Sequence, residues 1–138
     1  MSFGNFGSVE MQMLWLSVCL GIVQLLLAVM FSLSARGLPW GAGARDEPAP
    51  PMSKVGGRIE RAFRNFLETF VFFAAAVLMA NAMGKHTATS ALGAQIFFWS
   101  RVAYVPAYAL GIPYLRTLLW VASLVGIGMV MRGIWPGM

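Results

Sequence analysis

Charged residues are scarce in this sequence: they make up 11% of its 138 residues, whereas a soluble domain carries roughly 25%. Cysteine and histidine occur once each, as Cys19 and His86, so one chain can build neither a disulfide framework nor a Cys/His zinc site. Hydrophobic residues make up 59% of the chain, and a small water-soluble protein would lack the charge to cover its surface. The composition therefore excludes an ordinary soluble domain and indicates a protein embedded in lipid.

Acidic residues are also few, with five Asp and Glu against ten Lys and Arg, which gives a net charge of +5. In a soluble domain this excess would suggest nucleic acid as a partner, but in a membrane protein it is better explained as an orientation signal. We therefore expect no nucleic-acid partner. The uncharged stretch at residues 11–35 exceeds the about 7–15 residues of a signal-peptide core and follows an acidic Glu10. We interpret it as a retained membrane span.

Four segments reach the length of about 20 apolar residues that a spanning helix needs. They lie at about residues 11–33, 59–83, 90–110 and 113–134. Residues 37–57 form a polar loop rich in Gly and Pro, and the other two connections are short. The sequence therefore predicts one integral membrane domain over residues 1–138, an all-α antiparallel bundle of four transmembrane helices.

Basic residues are distributed unequally between the two sides of this predicted bundle. Lys85 and Arg132 lie on the side of the termini. The side of the first and third connections carries Arg36, Arg45, Lys54, Arg58, Arg61, Arg64 and Arg116. The positive-inside rule predicts that the Arg-rich side is cytoplasmic and that both termini lie opposite.

A polar stripe opens the second span and runs down into its apolar part. Arg58, Arg61, Asn65 and Glu68 lie within about 80° of one another on a helical face, and Arg64 lies about 40° further round. A charge inside a membrane is expensive and normally faces the bundle interior with a partner. The stripe is therefore either an internal ion-pair cluster that joins helices or part of a ligand site.

The third and fourth spans carry matching polar groups. Arg101, Tyr104 and Tyr108 lie within about 60° on one face of the third span, and Arg116 with Thr117 opens the fourth. Tyrosines near a membrane interface are often belt residues, but an arginine within an apolar span needs a buried role. These groups would suit an anionic polar molecule that carries an ammonium group for Glu68. They do not single out one such molecule.

Two segments carry a more specific signal. They are ERAFRNFLE at residues 60–68, and RVAYVPAY at residues 101–108 with its continuation LGIPYLR at 110–116. Both closely resemble motifs of the MAPEG family, the membrane-associated proteins in eicosanoid and glutathione metabolism, and in particular its microsomal glutathione transferase-like members. The resemblance covers nearly the whole chain. It implies a homotrimer that binds glutathione between neighbouring subunits on the cytoplasmic side.

The resemblance also implies roles for individual residues. Glutathione contacts fall on Arg64, Asn65, Glu68, Tyr108 and Arg116, and Arg36 at the end of the first span is a further candidate. In the family, an arginine at the position of Arg116 stabilises the glutathione thiolate, and cationic donors do lower a thiol pKa. Thr117 could donate to the sulfur, and Tyr108 offers a phenolic donor. The polar faces add Arg61, Arg101 and Tyr104 to the predicted glutathione site.

The expected function is that of a glutathione-dependent transferase or peroxidase that detoxifies hydrophobic electrophiles taken from membrane lipids. A non-enzymatic, lipid-binding regulatory member of the family is one alternative. A small proton-coupled transporter is another, but the first predicted span has no acid, and arginines beside Glu68 make it a poor proton carrier. Prostaglandin E synthase-like members differ from this chain at Tyr104, where they have histidine, and at Trp120, where they have an aromatic hydroxyl. His86 is expected to be an ordinary loop residue.

Overall fold

The computed structural model describes residues 6–137, and within that range the chain is helical, without strands. Four of these helices are long, with 22 to 29 residues, and the fifth has only five residues, too few to span a membrane. In chain order the helices are α1 (Val9–Arg36), α2 (Leu38–Ala42), α3 (Lys54–Ala82), α4 (Ala88–Ala109) and α5 (Pro113–Ile134).

Helix α1 begins earlier than the first predicted span. Ser8 caps it, and its Oγ accepts a hydrogen bond from the Met11 amide at 3.2 Å. The first turn therefore contains Glu10, which is only 1% exposed. The expectation that the first span lacks an acid is wrong, because this cap extends the helix through the acidic residue.

The loop predicted at residues 37–57 is partly helical. Its first part forms α2, with Pro39 in the first turn, where a missing backbone N–H costs no helical hydrogen bond. Its last part belongs to α3, which begins at Lys54, because the Ser53 side chain accepts a hydrogen bond from the Gly56 amide at 3.0 Å. The polar stripe predicted for the second span thus lies well inside α3, on rigid helix.

The long helices pack around a small apolar core. Helix α1 packs on α3 and α4, and α3 also packs on α4 and α5. At the centre, the rings of Phe73 and Phe97 stack with centroids 3.9 Å apart, and neither side chain is exposed. Small residues such as Ala76, Ala80 and Ala94 surround them and are completely buried. This core consists of apolar side chains and holds the helices together at the centre of the bundle.

Large apolar side chains cover the outer surface of the bundle. Met30 on α1 is 65% exposed, Phe72 on α3 is 64% exposed and Leu118 on α5 is 67% exposed. Helices α1, α3 and α5 are long and apolar enough to cross a membrane. Helix α4 does not meet that criterion, because its two serines, Gln95 and Arg101 dilute its apolar content. The surface is that of a protein surrounded by lipid.

The turn between α4 and α5 is fixed to the polar end of α3. Arg58 donates from Nη1 to the Ala109 carbonyl oxygen at 3.2 Å. Gly111 follows with a φ of 73°, and a Cβ there would lie 2.9 Å from the Arg58 guanidinium carbon. This contact places the end of α4 and the start of α5 beside the α3 stripe.

Helices α4 and α5 approach each other most closely at two glycines. A Cβ on Gly93 would lie 2.6 Å from the Gly126 carbonyl oxygen, and one on Gly126 would lie 2.6 Å from the Gly93 carbonyl oxygen. Atoms at that distance overlap, so only glycine allows the two backbones to touch. Close contacts through small residues are typical of helices packed in membranes.

We predict that Gly93→Ala and Gly126→Ala each lower the free energy of unfolding by about 1–3 kcal/mol, the usual cost of overpacking. Gly128→Ala is the matched control, because a Cβ there meets nothing within 4 Å. The control should stay within about 1 kcal/mol of the parent. Denaturant titration in mild detergent measures all three, and equal effects at positions 126 and 128 would contradict the close contact.

Candidate functional site

A polar cavity of about 370 Å³ opens where the ends of α3, α4 and α5 meet. Its size lies within the range of about 300–1,000 Å³ that is usual for small-molecule sites. The residues that line it are Arg61, Arg64, Asn65, Glu68, Tyr104, Tyr108, Arg116, Thr117 and Trp120. All residues predicted for the glutathione site lie here except Arg36 and Arg101.

Helix α3 supplies one wall of the cavity. Arg61, Arg64, Asn65 and Glu68 follow the helical period, so their side chains emerge along one side of α3. Asn65 is half-buried, whereas Arg61, Arg64 and Glu68 are exposed. Among residues 6–137, Glu68 forms no ion pair, so the expected pairing with the neighbouring arginines is not made within one chain. Its carboxylate is therefore available to a ligand or to another subunit.

Tyr108 lies between two guanidinium groups. Arg61 donates from Nε to the Tyr108 hydroxyl oxygen at 3.3 Å. On the other side, the guanidinium carbon of Arg116 lies 5.0 Å from the centroid of the Tyr108 ring, within cation–π range. Since Arg61 uses the phenol oxygen as acceptor, the Tyr108 O–H remains free to donate into the cavity. The tyrosine thus holds residues of α3 and α5 in position and offers a donor.

Arg101 lies behind the cavity wall and is 1% exposed. It donates from Nη2 to the Asn65 side-chain oxygen at 2.9 Å, and its guanidinium carbon lies 4.3 Å from the centroid of the Tyr104 ring. The bond to the Asn65 oxygen turns the Asn65 amide N–H₂ group away from Arg101. Within a single chain, Arg101 therefore positions two lining residues and does not itself reach the cavity.

Arg36 lies outside this cavity. It donates from Nε to the Pro50 carbonyl oxygen at 3.1 Å, and its Nη2 lies 3.9 Å from Glu60. It lines a neighbouring cavity at the start of α3. A role for Arg36 at the glutathione site therefore requires a contribution from a second copy of the chain.

The start of α5 brings three lining residues to the cavity. Arg116 is half-buried, and Thr117 donates from its hydroxyl to the Pro113 carbonyl oxygen at 3.3 Å. Thr117 thus must rotate before it can donate to a bound group. Trp120 also lines the cavity, although it was not among the predicted site residues. Its position one turn after Arg116 on the same helix could have identified it from the sequence.

The structure has a second polar cluster, at the opposite end of the bundle, that was not predicted from the sequence. The buried Glu10 carboxylate on α1 accepts a hydrogen bond from the Ser90 hydroxyl of α4, and its Oε2 lies 3.5 Å from His86 Nδ1. Ser90 also completes the capping box of α4 with Thr87. His86 is therefore not an ordinary loop residue, because it contacts the carboxylate that joins α1 to α4.

The arrangement as a whole defines a class of protein. It is a helical membrane protein with a polar cavity at one end, lined by three guanidinium groups, one unpaired carboxylate, two phenols and an amide. Guanidinium groups bind carboxylates by paired, charge-assisted hydrogen bonds, and the free carboxylate accepts from an ammonium group. The cavity is thus suited to a zwitterionic ligand with more than one carboxylate.

Comparison with protein families identifies the chain more closely. The model of the MAPEG family matches residues 13–134, nearly the whole sequence. The chain belongs to the MAPEG family, and the resemblance of its motifs to that family is confirmed. It is therefore an integral membrane protein related to glutathione or eicosanoid metabolism. Neither a search of curated proteins nor a search of solved structures gives a significant match.

The Glu10 cluster yields a prediction for stability. Glu10→Ala removes the bond from the Ser90 hydroxyl that joins α4 to α1, and the partner of His86, so the free energy of unfolding should fall by about 1–3 kcal/mol. Glu47→Ala is the control, since Glu47 is exposed in the loop before α3 and should change stability by less than about 0.5 kcal/mol. Thermal unfolding in detergent distinguishes the two, and equal melting temperatures would show that Glu10 does not join α1 to α4.

Proposed function

We propose that the protein is a glutathione-dependent transferase or peroxidase that acts on hydrophobic electrophiles from the bilayer. The observation that carries the proposal is that Arg61 and Arg64 line the same cavity as Glu68, whose carboxylate has no ion-pair partner among residues 6–137. Glutathione has two carboxylates, one ammonium and one thiol, and so offers a partner for each of these groups. Membership of a family concerned with glutathione supports the assignment.

Binding rests on α3 in this proposal. The guanidinium groups of Arg64 and Arg61 hold carboxylates, Glu68 accepts from the ammonium, and the Asn65 amide donates to the peptide part of the ligand. Arg101 fixes the orientation of that amide through its 2.9 Å bond to the Asn65 oxygen. Tyr104, whose ring packs on Arg101, forms part of the wall.

In this proposal, Arg116 stabilises the glutathione thiolate, and Tyr108 and Thr117 are further hydrogen-bond donors. A guanidinium group stays charged at any working pH, so Arg116 stabilises a thiolate without taking its proton, which leaves to solvent. The sulfur then forms a bond to an electrophilic carbon as the leaving group departs. With a hydroperoxide, the sulfur attacks the terminal oxygen, the O–O bond breaks, and the alcohol forms. A second glutathione converts the sulfenic product to disulfide and water.

A second subunit completes the site in this proposal. Helix α3 exposes Glu68 and its neighbouring arginines, and Phe72 on the same helix is exposed as well. In a membrane, these charged groups need a polar surface to cover them. A homotrimer supplies that surface, and the neighbouring subunit's α1 brings Arg36 to the cavity. Helix α4 would then cross the membrane as a fourth span, since Ser90, Ser100 and Arg101 are buried within the bundle. The excess of basic residues at this end supports a cytoplasmic site and termini on the opposite side.

A path for the electrophile adjoins the polar cavity. One turn beyond Glu68 and Trp120, the same two helices form an apolar groove of about 300 Å³. Its lining consists of Phe72, Ala75, Met79, Leu124, Ile127 and Met131. A hydrophobic substrate in this groove would reach the sulfur from the lipid side. The same groove favours the second candidate function, a lipid-binding regulatory protein without turnover.

The binding role of Glu68 can be tested directly. Glu68→Gln keeps the shape of the side chain but removes its charge, so glutathione affinity should fall about tenfold as a charge-assisted bond is lost. Glu60→Gln is the matched control on the same helix, because Glu60 contacts Arg36 and does not line the cavity. Calorimetric titration of the folded proteins measures both. Unchanged affinity in Glu68→Gln would restrict the α3 stripe to a structural role.

The catalytic role of Arg116 calls for a separate test. Arg116→Leu should raise the thiol pKa of bound glutathione toward its free value of about 8.5, with a smaller effect on affinity. Turnover of a generic aryl halide should fall about a hundredfold, as expected when an anion-stabilising donor is lost. Arg132→Leu, at the other end of α5, is the control. The readouts are the ultraviolet absorbance of the thiolate against pH and the rate.

The outcomes of this test separate the candidate functions. If Arg116→Leu leaves the titration and rate unchanged in an active protein, the thiolate is stabilised elsewhere, with Tyr108 the next donor to test. If the parent binds glutathione but gives no thiolate and no turnover with several electrophiles, the enzymatic proposal is wrong. The lipid-binding function then explains the groove better.

A further inference from the structure

A second polar cavity, of about 440 Å³, lies at the same end of the bundle and takes no part in the proposed chemistry. It lies between the end of α1 and the first two turns of α3. Its lining consists of Arg36, Met52, Ser53, Lys54, Gly57, Arg58, Glu60 and Arg61. Four cationic side chains therefore face one carboxylate across a small volume. We infer that this cavity binds a phosphate-bearing anion.

The cations are held in place by groups that do not neutralise them. Arg36 and Arg58 each donate to a backbone carbonyl oxygen, that of Pro50 at 3.1 Å and that of Ala109 at 3.2 Å. The contact of Arg36 with Glu60 is long, at 3.9 Å, and partly exposed, so it offsets little charge. Fixed like charges repel one another, and an anion between them removes that repulsion.

The donor set favours phosphate over a single carboxylate. Lys54 and Arg58 on α3 lie one turn apart and face Arg36 of α1 across the cavity, so donors approach from two directions. A phosphate group accepts from several directions at once, because three of its oxygens are free in a monoester and two in a diester. Ser53 adds a hydroxyl hydrogen, since its oxygen already accepts from the Gly56 amide.

The surroundings favour a lipid headgroup as the source of the phosphate. Val55 directly follows Lys54 and Leu38 lies two residues after Arg36, and these apolar side chains are 44% and 68% exposed. Basic residues next to a membrane span attract anionic lipids. The site differs from the glutathione cavity, with which it shares only Arg61 among its lining residues. Arg36 and Arg61 also take part in the proposed glutathione site, but Ser53, Lys54 and Arg58 line only this second cavity, so the inference and the proposed function can fail separately.

The test uses the full-length protein in nanodiscs or detergent. Added phosphatidylglycerol should raise the melting temperature of the parent more than phosphatidylcholine does. Lys54→Gln should weaken apparent affinity for phosphatidylglycerol about fivefold, as expected for one basic residue at an anionic surface, and Lys54→Glu should weaken it further. Arg45→Gln is the control, because Arg45 is an exposed cation at the same end and outside the cavity. Inorganic phosphate alone is tested in parallel.

Each outcome decides the inference. Stabilisation by phosphatidylglycerol but not by inorganic phosphate supports the cavity with a lipid as its ligand, and stabilisation by both supports it with a soluble phosphate as well. Equal stabilisation by the two lipids, without an effect of phosphate, overturns it. So does parent-like affinity in Lys54→Glu, or an equal loss in Arg45→Gln. An equal loss of glutathione affinity in Lys54→Gln would also overturn it, because the cavity would then belong to the glutathione site.

Discussion

A charged side chain surrounded by hydrocarbon loses its hydration, which costs free energy. The contacts at the polar end of this bundle offset part of that cost. Arg101 is the deepest charge, and it bonds to Asn65 and packs on the Tyr104 ring. These contacts replace part of the lost hydration and fix two side chains of the cavity wall. Glu68, on the same face as Asn65, has no such partner within residues 6–137, which leaves it for a ligand or a second subunit.

At the opposite end of the bundle, the cost of burying a charged group is offset in a different way. Glu10 is buried with Ser90 and His86 within one chain, so its hydrogen-bonding capacity is used internally. A buried carboxylate with partners on two other segments contributes to the packing of α1 on α4. The contrast between Glu10 and Glu68 separates a structural carboxylate from one open to chemistry. An acid in α1 does not by itself favour a transporter, because this one is already bonded.

Sequence periodicity predicted which residues of α3 share a face, because the helical repeat alone determines the direction of each side chain. The resemblance of two motifs predicted the family, and the family is confirmed. Periodicity could not predict that Arg101 lies behind Asn65, since this depends on how α4 packs on α3. It also missed Glu10, which enters α1 only through the Ser8 cap, and its partners lie about 80 residues away in the chain. Arg36 shares the basic end but lines the neighbouring cavity, because its position depends on how α1 packs on α3, which periodicity does not determine.

We propose that this cavity becomes a glutathione site when subunits assemble. Native mass spectrometry of the protein released from mild detergent tests it most directly, because it reports the number of chains and the bound ligand together. With glutathione added, we expect a trimer that carries glutathione. Oxidised glutathione is the control, and the trimer should retain less of it than of reduced glutathione. A monomer that retains glutathione as well as the trimer does would contradict the account. So would a trimer that retains no glutathione.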